Sequence, residues 1–175
     1  MRNIRKITDD IVYVGASDRR LALFENIYPI PRGVSYNSYI VLDEKTCLMD
    51  TVDLSVSRQF FENIQAALDG RKLDYLVVHH MEPDHSASIS LFMDAFPETV
   101  IVSSQKAFPM MKAFFGTDYA ARRIIVKEGD VLCLGKHTLS FIAAPMVHWP
   151  EVMMSYDEKD KALFSAEAFF RTACT

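Results

Sequence analysis

Short apolar runs dominate the chain, and three longer stretches between them carry apolar residues at helical spacing. Residues 10–16 (DIVYVGA) predict a first strand. Residues 35–53 (SYNSYIVLDEKTCLMDTVD) predict a hairpin that turns at Asp43, Glu44 and Lys45. In residues 54–70, Phe60, Phe61, Ile64, Ala67 and Leu68 repeat with the period of a helix, and Gly70 stands at its C-cap. YLVVHH, residues 75–80, is a wholly apolar run leading into two histidines, as expected of a strand covered on both faces. Residues 87–96 predict a second amphipathic helix, with Ile89, Phe92, Met93 and Phe96 on one side and Pro97 ending it. A further strand follows at 99–104. Residues 105–116 predict one helix or two short ones, because Pro109 interrupts the pattern. From residue 122 onward the pattern is strand-like: 123–135, 137–145 and 151–166. The order is strands, then βαβαβ, then strands again. This predicts an α/β protein, an α+β sandwich with a mixed sheet system and helices outside.

Composition narrows the class. The 175 residues suit one domain, and half of them are hydrophobic, enough for a sizeable core. The net charge is −4 with both signs interspersed, so neither a nucleic-acid partner nor a membrane surface is indicated. No apolar run is long enough for a bilayer, and the N-terminus lacks the apolar core of a signal peptide. Cys47, Cys133 and Cys174 are scattered without CxxC spacing, which points away from disulfide or thiolate–zinc frameworks and toward a reducing compartment. A cytoplasmic protein of bacterial type is expected.

One stretch concentrates the chemistry. HHMEPDH, residues 79–85, holds three of the five histidines and two carboxylates between the 75–78 strand and the next helix. Active sites of α/β folds gather at such carboxyl ends of strands. In an extended segment His80, Glu82 and Asp84 would project to one side, with His85 at the helix entrance. Imidazoles and carboxylates without thiolate suit iron, manganese or zinc. Other polar residues have structural readings. Asp50 supports the loop or caps the next helix, Ser86 is an N-cap, and Arg32-Gly33 is a turn. Trp149 packs, the methionines fill core, and His137 faces solvent or a neighbour.

The run HMEPDH resembles the His-x-Glu-x-Asp-His motif of flavodiiron proteins, whose di-iron site sits on a metallo-β-lactamase fold. Three more stretches are similar to that family: residues 23–53, PMVHWPEVMMSYD at 145–157, and ALFSAEAF at 162–169. The resemblance covers essentially the whole chain. It implies that His80, Glu82 and His148 bind a first iron and that Asp84 and His85 bind a second. The family's bridging aspartate falls on Glu167, and a glycine of the same stretch falls on Phe170. His79 has no ligand role in the family pattern. The family continues through the rest of the lactamase-like fold, which supplies a final histidine to the second iron, and then through a flavodoxin-like domain that binds FMN. No histidine follows His148 here. The second iron is therefore expected to lack a ligand unless His79, water or another chain completes it. Residues 1–175 are read as an incomplete lactamase-like domain, with apolar faces at 139–144 and 162–170 awaiting cover. Three explanations stand open: a fragment of a longer polypeptide, one half of a split protein, or a short form that dimerises.

The resemblance implies an oxidoreductase that reduces O2 to water or NO to N2O, fed by FMN on a further domain or partner. A flavoprotein or rubredoxin-type donor and a homo-oligomer or complementary chain are the implied partners. A di-iron oxygen-binding sensor without reductase activity is the alternative. A zinc hydrolase is a third reading, disfavoured because hydrolytic relatives carry a histidine where Glu82 stands. A carboxylate there makes the site harder and more anionic, which favours oxidised iron.

Overall fold

The computed structural model describes residues 3–24 and 26–166. The strands are β1 Arg5–Lys6, β2 Ile11–Tyr13, β3 Ala16–Asp18, β4 Leu23–Phe24, β5 Tyr28–Pro29, β6 Val34–Tyr36, β7 Tyr39–Leu42, β8 Thr46–Met49, β9 Tyr75–Val78, β10 Val100–Ser104, β11 Arg123–Val126, β12 Val131–Cys133, β13 Thr138–Ala143, β14 Met153–Asp157 and β15 Ala162–Phe164. The helices are α1 Ser57–Leu68, α2 Pro83–Ser86, α3 Ile89–Ala95 and α4 Ala107–Phe115, with one-turn 3₁₀ helices at Leu54–Val56 and Ala120–Arg122.

Seven strands form a mixed sheet in the order β1-β2-β7-β8-β9-β10-β11, and four form a second sheet in the order β12-β13-β14-β15. β8, β9, β10 and β11 run parallel, as crossovers through helices require. The alternation of side chains along the central strands divides the core in two. Leu48, Leu76, Val78 and Ile101 face the helices, where Phe60, Ile64, Phe92 and Phe108 are fully buried. Cys47, Met49, Val77 and Val102 face the second sheet and meet Leu139, Phe141 and Met153. This is why residues 75–78 carry no polar position. The predicted α/β sandwich is present as helices on a mixed sheet on a second sheet. The far side of that second sheet exposes Val131, Ile142 and Leu163.

Three local expectations need correction. The strand predicted over 10–16 is two strands, because the N–H groups of Val14 and Gly15 both donate to Ser38 O and turn the chain between β2 and β3. A Cβ on Gly15 would lie 2.1 Å from Tyr36 O, so the close approach demands glycine. Pro109 does not split its helix. It is the third residue of α4, where backbone N–H groups have no intrahelical acceptor and a missing one costs nothing. The C-cap of α1 is Asp69, in the left-handed region, with Gly70 also at positive φ behind it. The turn at Gly33 is as expected, with φ of +80° and its N–H donating to Ile30 O.

Candidate metal centre

The site is built where β9 ends. At the end of β8, Asp50 takes a left-handed conformation (φ 55°), and its carboxylate replaces the next backbone partner of β9. Asp50 Oδ1 accepts the N–H of His79 at 2.7 Å, and Oδ2 accepts the His79 ring Nδ1–H at 2.9 Å. The other ring nitrogen of His79 meets Ser155 Oγ on β14 at 2.8 Å, and Met153 N–H donates to His79 O. Both nitrogens of His79 thus have protein partners. It joins the two sheets and offers no ligand atom, which removes it as a substitute for a missing ligand. Burial raises the Asp50 carboxyl, but the two imidazoles of His79 and His85 outweigh that and hold its pKa below the usual carboxylate range.

The chain then leaves the sheet through His80, Met81 and Glu82. His80 Nε2 lies 3.1 Å from Glu82 Oε2 and 3.3 Å from His148 Nε2. The Glu82–His148 separation is 2.9 Å. One ligand atom from each of the three falls within a 4.8 Å group. His80 and Glu82 are buried, while the His148 side chain is 53% exposed, so the group opens to solvent on the His148 side. His148 rides on a tight loop between β13 and β14 in which Met146 has positive φ and its N–H donates to Trp149 O. Trp149 stands edge-on to His80, ring centroids 5.2 Å apart, and also packs on the helix-side core.

Glu151 was not singled out from sequence, and it orients the group. Its Oε1 accepts from His80 Nδ1 at 2.7 Å and from Met81 N–H at 2.9 Å. The carboxylate therefore fixes the proton on Nδ1 and leaves Nε2 with its lone pair toward Glu82 and His148. Burial pushes the Glu151 carboxyl up, but the hydrogen bonds from His80 and Met81 prevail, and its pKa stays below the ordinary glutamate value. A sequence signal existed. Apart from His148, Glu151 is the ionisable residue in an otherwise apolar and small-residue run from Pro145 to Ser155.

Asp84 does not follow His80 and Glu82 in an extended row. Pro83 starts the one-turn helix α2, and the N–H groups of His85 and Ser86 both donate to Glu82 O. The turn moves Asp84 to the neighbourhood of His85, with Asp84 Oδ2 and His85 Nε2 3.6 Å apart. The His80 and His85 rings are 5.6 Å apart. Two adjoining groups result: His80, Glu82 and His148, and next to them Asp84 and His85. Ser86 is not an N-cap. Its hydroxyl donates to Met81 O and tightens the loop, while Thr51 binds His85 O through both its N–H and its hydroxyl. A cavity of about 230 Å³ opens beside His85, lined in part by Tyr39, Asp50 and Phe164. Glu167, Phe170 and Cys174 lie outside the described residues.

The donor set fits a first-row metal ion. With its Nδ1 proton fixed by Glu151, His80 turns the lone pair of Nε2 toward Glu82 and toward the Nε2 of His148. Separations of 2.9–3.3 Å match ligands each about 2.1 Å from a shared cation.

Residues 34–173 match the model of the ODP family beta lactamase, and the chain belongs to that family. Within it, the chain corresponds to the N-terminal part of the β-lactamase-like domain of flavodiiron proteins. It is 38% identical over 165 residues to a nitric oxide reductase of Moorella thermoacetica, covering 93% of this chain and 41% of that protein. It is 36% identical to the rubredoxin-oxygen oxidoreductase of Megalodesulfovibrio gigas, covering 94% of this chain and 40% of that protein. The crystal structure of the flavodiiron protein from Giardia intestinalis superposes with a TM-score of 0.93 at 30% identity, over all of this chain and 42% of that one. The chain thus spans about two fifths of the length of these relatives.

Proposed function

We propose that the chain is the metal-holding part of a flavodiiron-type oxidoreductase that reduces O2 to water, NO to N2O, or both, with electrons from an FMN-bearing domain or partner. The observation that carries this reading is the convergence of His80 Nε2, Glu82 Oε2 and His148 Nε2, with Glu151 fixing the tautomer of His80. These three side chains would hold one iron, and Asp84 and His85 would hold a second, with Glu167 in the position of the family's shared carboxylate. Iron held there would relay electrons from the flavin to a small diatomic gas. His80 and Glu82 would hold the first iron from the buried side, and His148 from the side open to solvent. Trp149 shields the His80 ring from water. The 230 Å³ cavity beside His85 is several times the volume of a water molecule, about 30 Å³, and admits O2 or NO.

The relatives' names support this reading: they speak of nitric oxide, of oxygen and of rubredoxin. A flavoprotein or rubredoxin-type donor and a homo-oligomer or complementary chain are the partners that follow. Among the described residues no helix is long and apolar enough to cross a membrane, and three cysteines scattered without CxxC spacing favour the cytoplasm. The test is anaerobic loading with ferrous iron, followed by a reduced flavoprotein and measurement of O2 and NO uptake. Iron bound by the wild-type chain, with at least one equivalent lost in His80→Ala, and gas uptake that requires the flavoprotein, is the expected result. Zinc bound in preference to iron, with hydrolysis and no gas uptake, would overturn the reading.

A further inference from the structure

A second group of possible ligands lies at the opposite end of the sandwich. β14 starts beside His79 and runs away from it, so Asp157, four residues beyond Met153, is roughly 13 Å along the strand at about 3.3 Å per residue. Asp157 and His137 are both fully buried. His137 Nδ1 and Asp157 Oδ1 stand 3.0 Å apart without the alignment of a hydrogen bond, and neither atom has another hydrogen-bond partner. The other nitrogen, Nε2, faces Asp10 Oδ2 at 3.4 Å. With the proton on Nε2, where Asp10 accepts it, two lone pairs point at one another inside the protein. That arrangement is repulsive unless a metal ion or a second proton lies between them. A gap of 3.0 Å is the ligand-to-ligand distance expected for two atoms each about 2.1 Å from a metal at near right angles.

Asp160, in the β14–β15 turn, completes a group of three whose ligand atoms lie within 4.8 Å of one another. Its N–H donates to Asp157 Oδ2, its Oδ2 accepts from Thr8 Oγ1, and its Oδ1 receives Lys159 Nζ at 3.1 Å. Lys159 also reaches Asp10 Oδ2 at 2.7 Å. Asp10, Asp157 and Asp160 bring three negative charges, and Lys159 returns one. The remaining two match a divalent cation when His137 is neutral.

We propose that His137, Asp157 and Asp160 form a structural site for a divalent first-row metal ion, with Asp10 orienting His137 from behind. One imidazole and two carboxylates suit Zn2+, Mn2+ or Fe2+. The ion would clamp the loop holding Thr8 and Asp10, the start of β13 and the β14–β15 turn. This site is independent of the centre at His80.

The test uses the full chain carrying His80→Ala, which disables the first centre, titrated with Zn2+ against a chelating dye. The comparison is the same chain with Asp160→Asn added. Asp160 is less buried than its two partners, so its amide variant keeps the fold. Loss of one equivalent of Zn2+, or at least a tenfold weaker affinity, is expected in the double variant. A rise in thermal midpoint with Zn2+ should also be present in the single variant and absent from the double. In ¹⁵N spectra the His137 Nδ1 resonance should shift when Zn2+ is added. Equal stoichiometry and affinity in both variants, with a His137 signal indifferent to Zn2+, would overturn the proposal and leave a proton bridging His137 and Asp157.

Discussion

His79 and His80 are adjacent and equally buried, yet their rings serve different ends. Asp50 and Ser155 engage both nitrogens of His79, whereas Glu151 engages one nitrogen of His80 and leaves the other facing Glu82 and His148. Removing His79 by His79→Ala leaves the buried Asp50 carboxylate short of its main partner. It should destabilise the fold by roughly 3 kcal/mol in urea denaturation, while the metal content per folded chain stays unchanged. A folded His79→Ala chain stripped of metal would make His79 a ligand after all. Glu151→Gln tests the other imidazole. The amide can donate to Nδ1 and permit the wrong tautomer, so metal affinity should fall roughly ten- to a hundredfold in a competition titration, with the circular dichroism spectrum retained. The candidate metal-binding motif was legible because His80, Glu82, Asp84 and His85 are packed into six residues. Glu151 was not, because its partner is 71 residues away and its role exists only after the sheets meet.

At the scale of elements, pattern reading succeeded where burial is periodic and failed where a single contact decides. The β7–β8 hairpin, β9 and α1 follow their apolar spacing. The row of His80, Glu82 and Asp84 did not hold, because Pro83 opens a helical turn inside it. Pro109 misled in the opposite direction, since a proline in the first turn of α4 gives up no hydrogen bond. Pro109→Ala should therefore change stability by less than about 0.5 kcal/mol. Ala113→Pro, in the interior of the same helix, should cost roughly 3 kcal/mol or more. Comparing the urea midpoints of the two variants checks the assignment. Equal losses would mean that α4 starts later than residue 107.

For the molecule as a whole, acid sensitivity is set in part by carboxylates that are tied down. Asp18, buried at the end of β3, binds Arg20 through both oxygens and accepts a bond from Ser55 in the 3₁₀ helix Leu54–Val56. The hydrogen bond from Arg20 prevails over burial and lowers its pKa below the model-compound value of 3.8. A carboxylate lowered on folding adds stability above its unfolded pKa, and that contribution fades as pH falls through the folded value. Asp18→Asn should thus be less stable than wild type at pH 7, by about 1 kcal/mol. The difference should shrink below about pH 4, near the unfolded aspartate pKa. A gap that stays constant from pH 7 to pH 3 in urea melts would show that the Asp18 charge is not what holds β3 to the helix.

The bond from Met153 N–H to His79 O, together with that between Ser155 and His79, means the metal loop is finished only when β14 has docked. Before that event His80 and Glu82 are local, but His148 lies 68 residues from His80 and reaches it only with the segment that also brings Trp149 and Glu151 to His80. Closing so long a loop is among the slower steps for a chain of this size. Ion capture should therefore trail the burial of the intersheet core during refolding, and its rate should be independent of metal concentration once metal is in excess. An ion arriving late also acts as a latch. It binds only the docked state, so the dissociation of the two sheets becomes slower in its presence while their first encounter does not become faster.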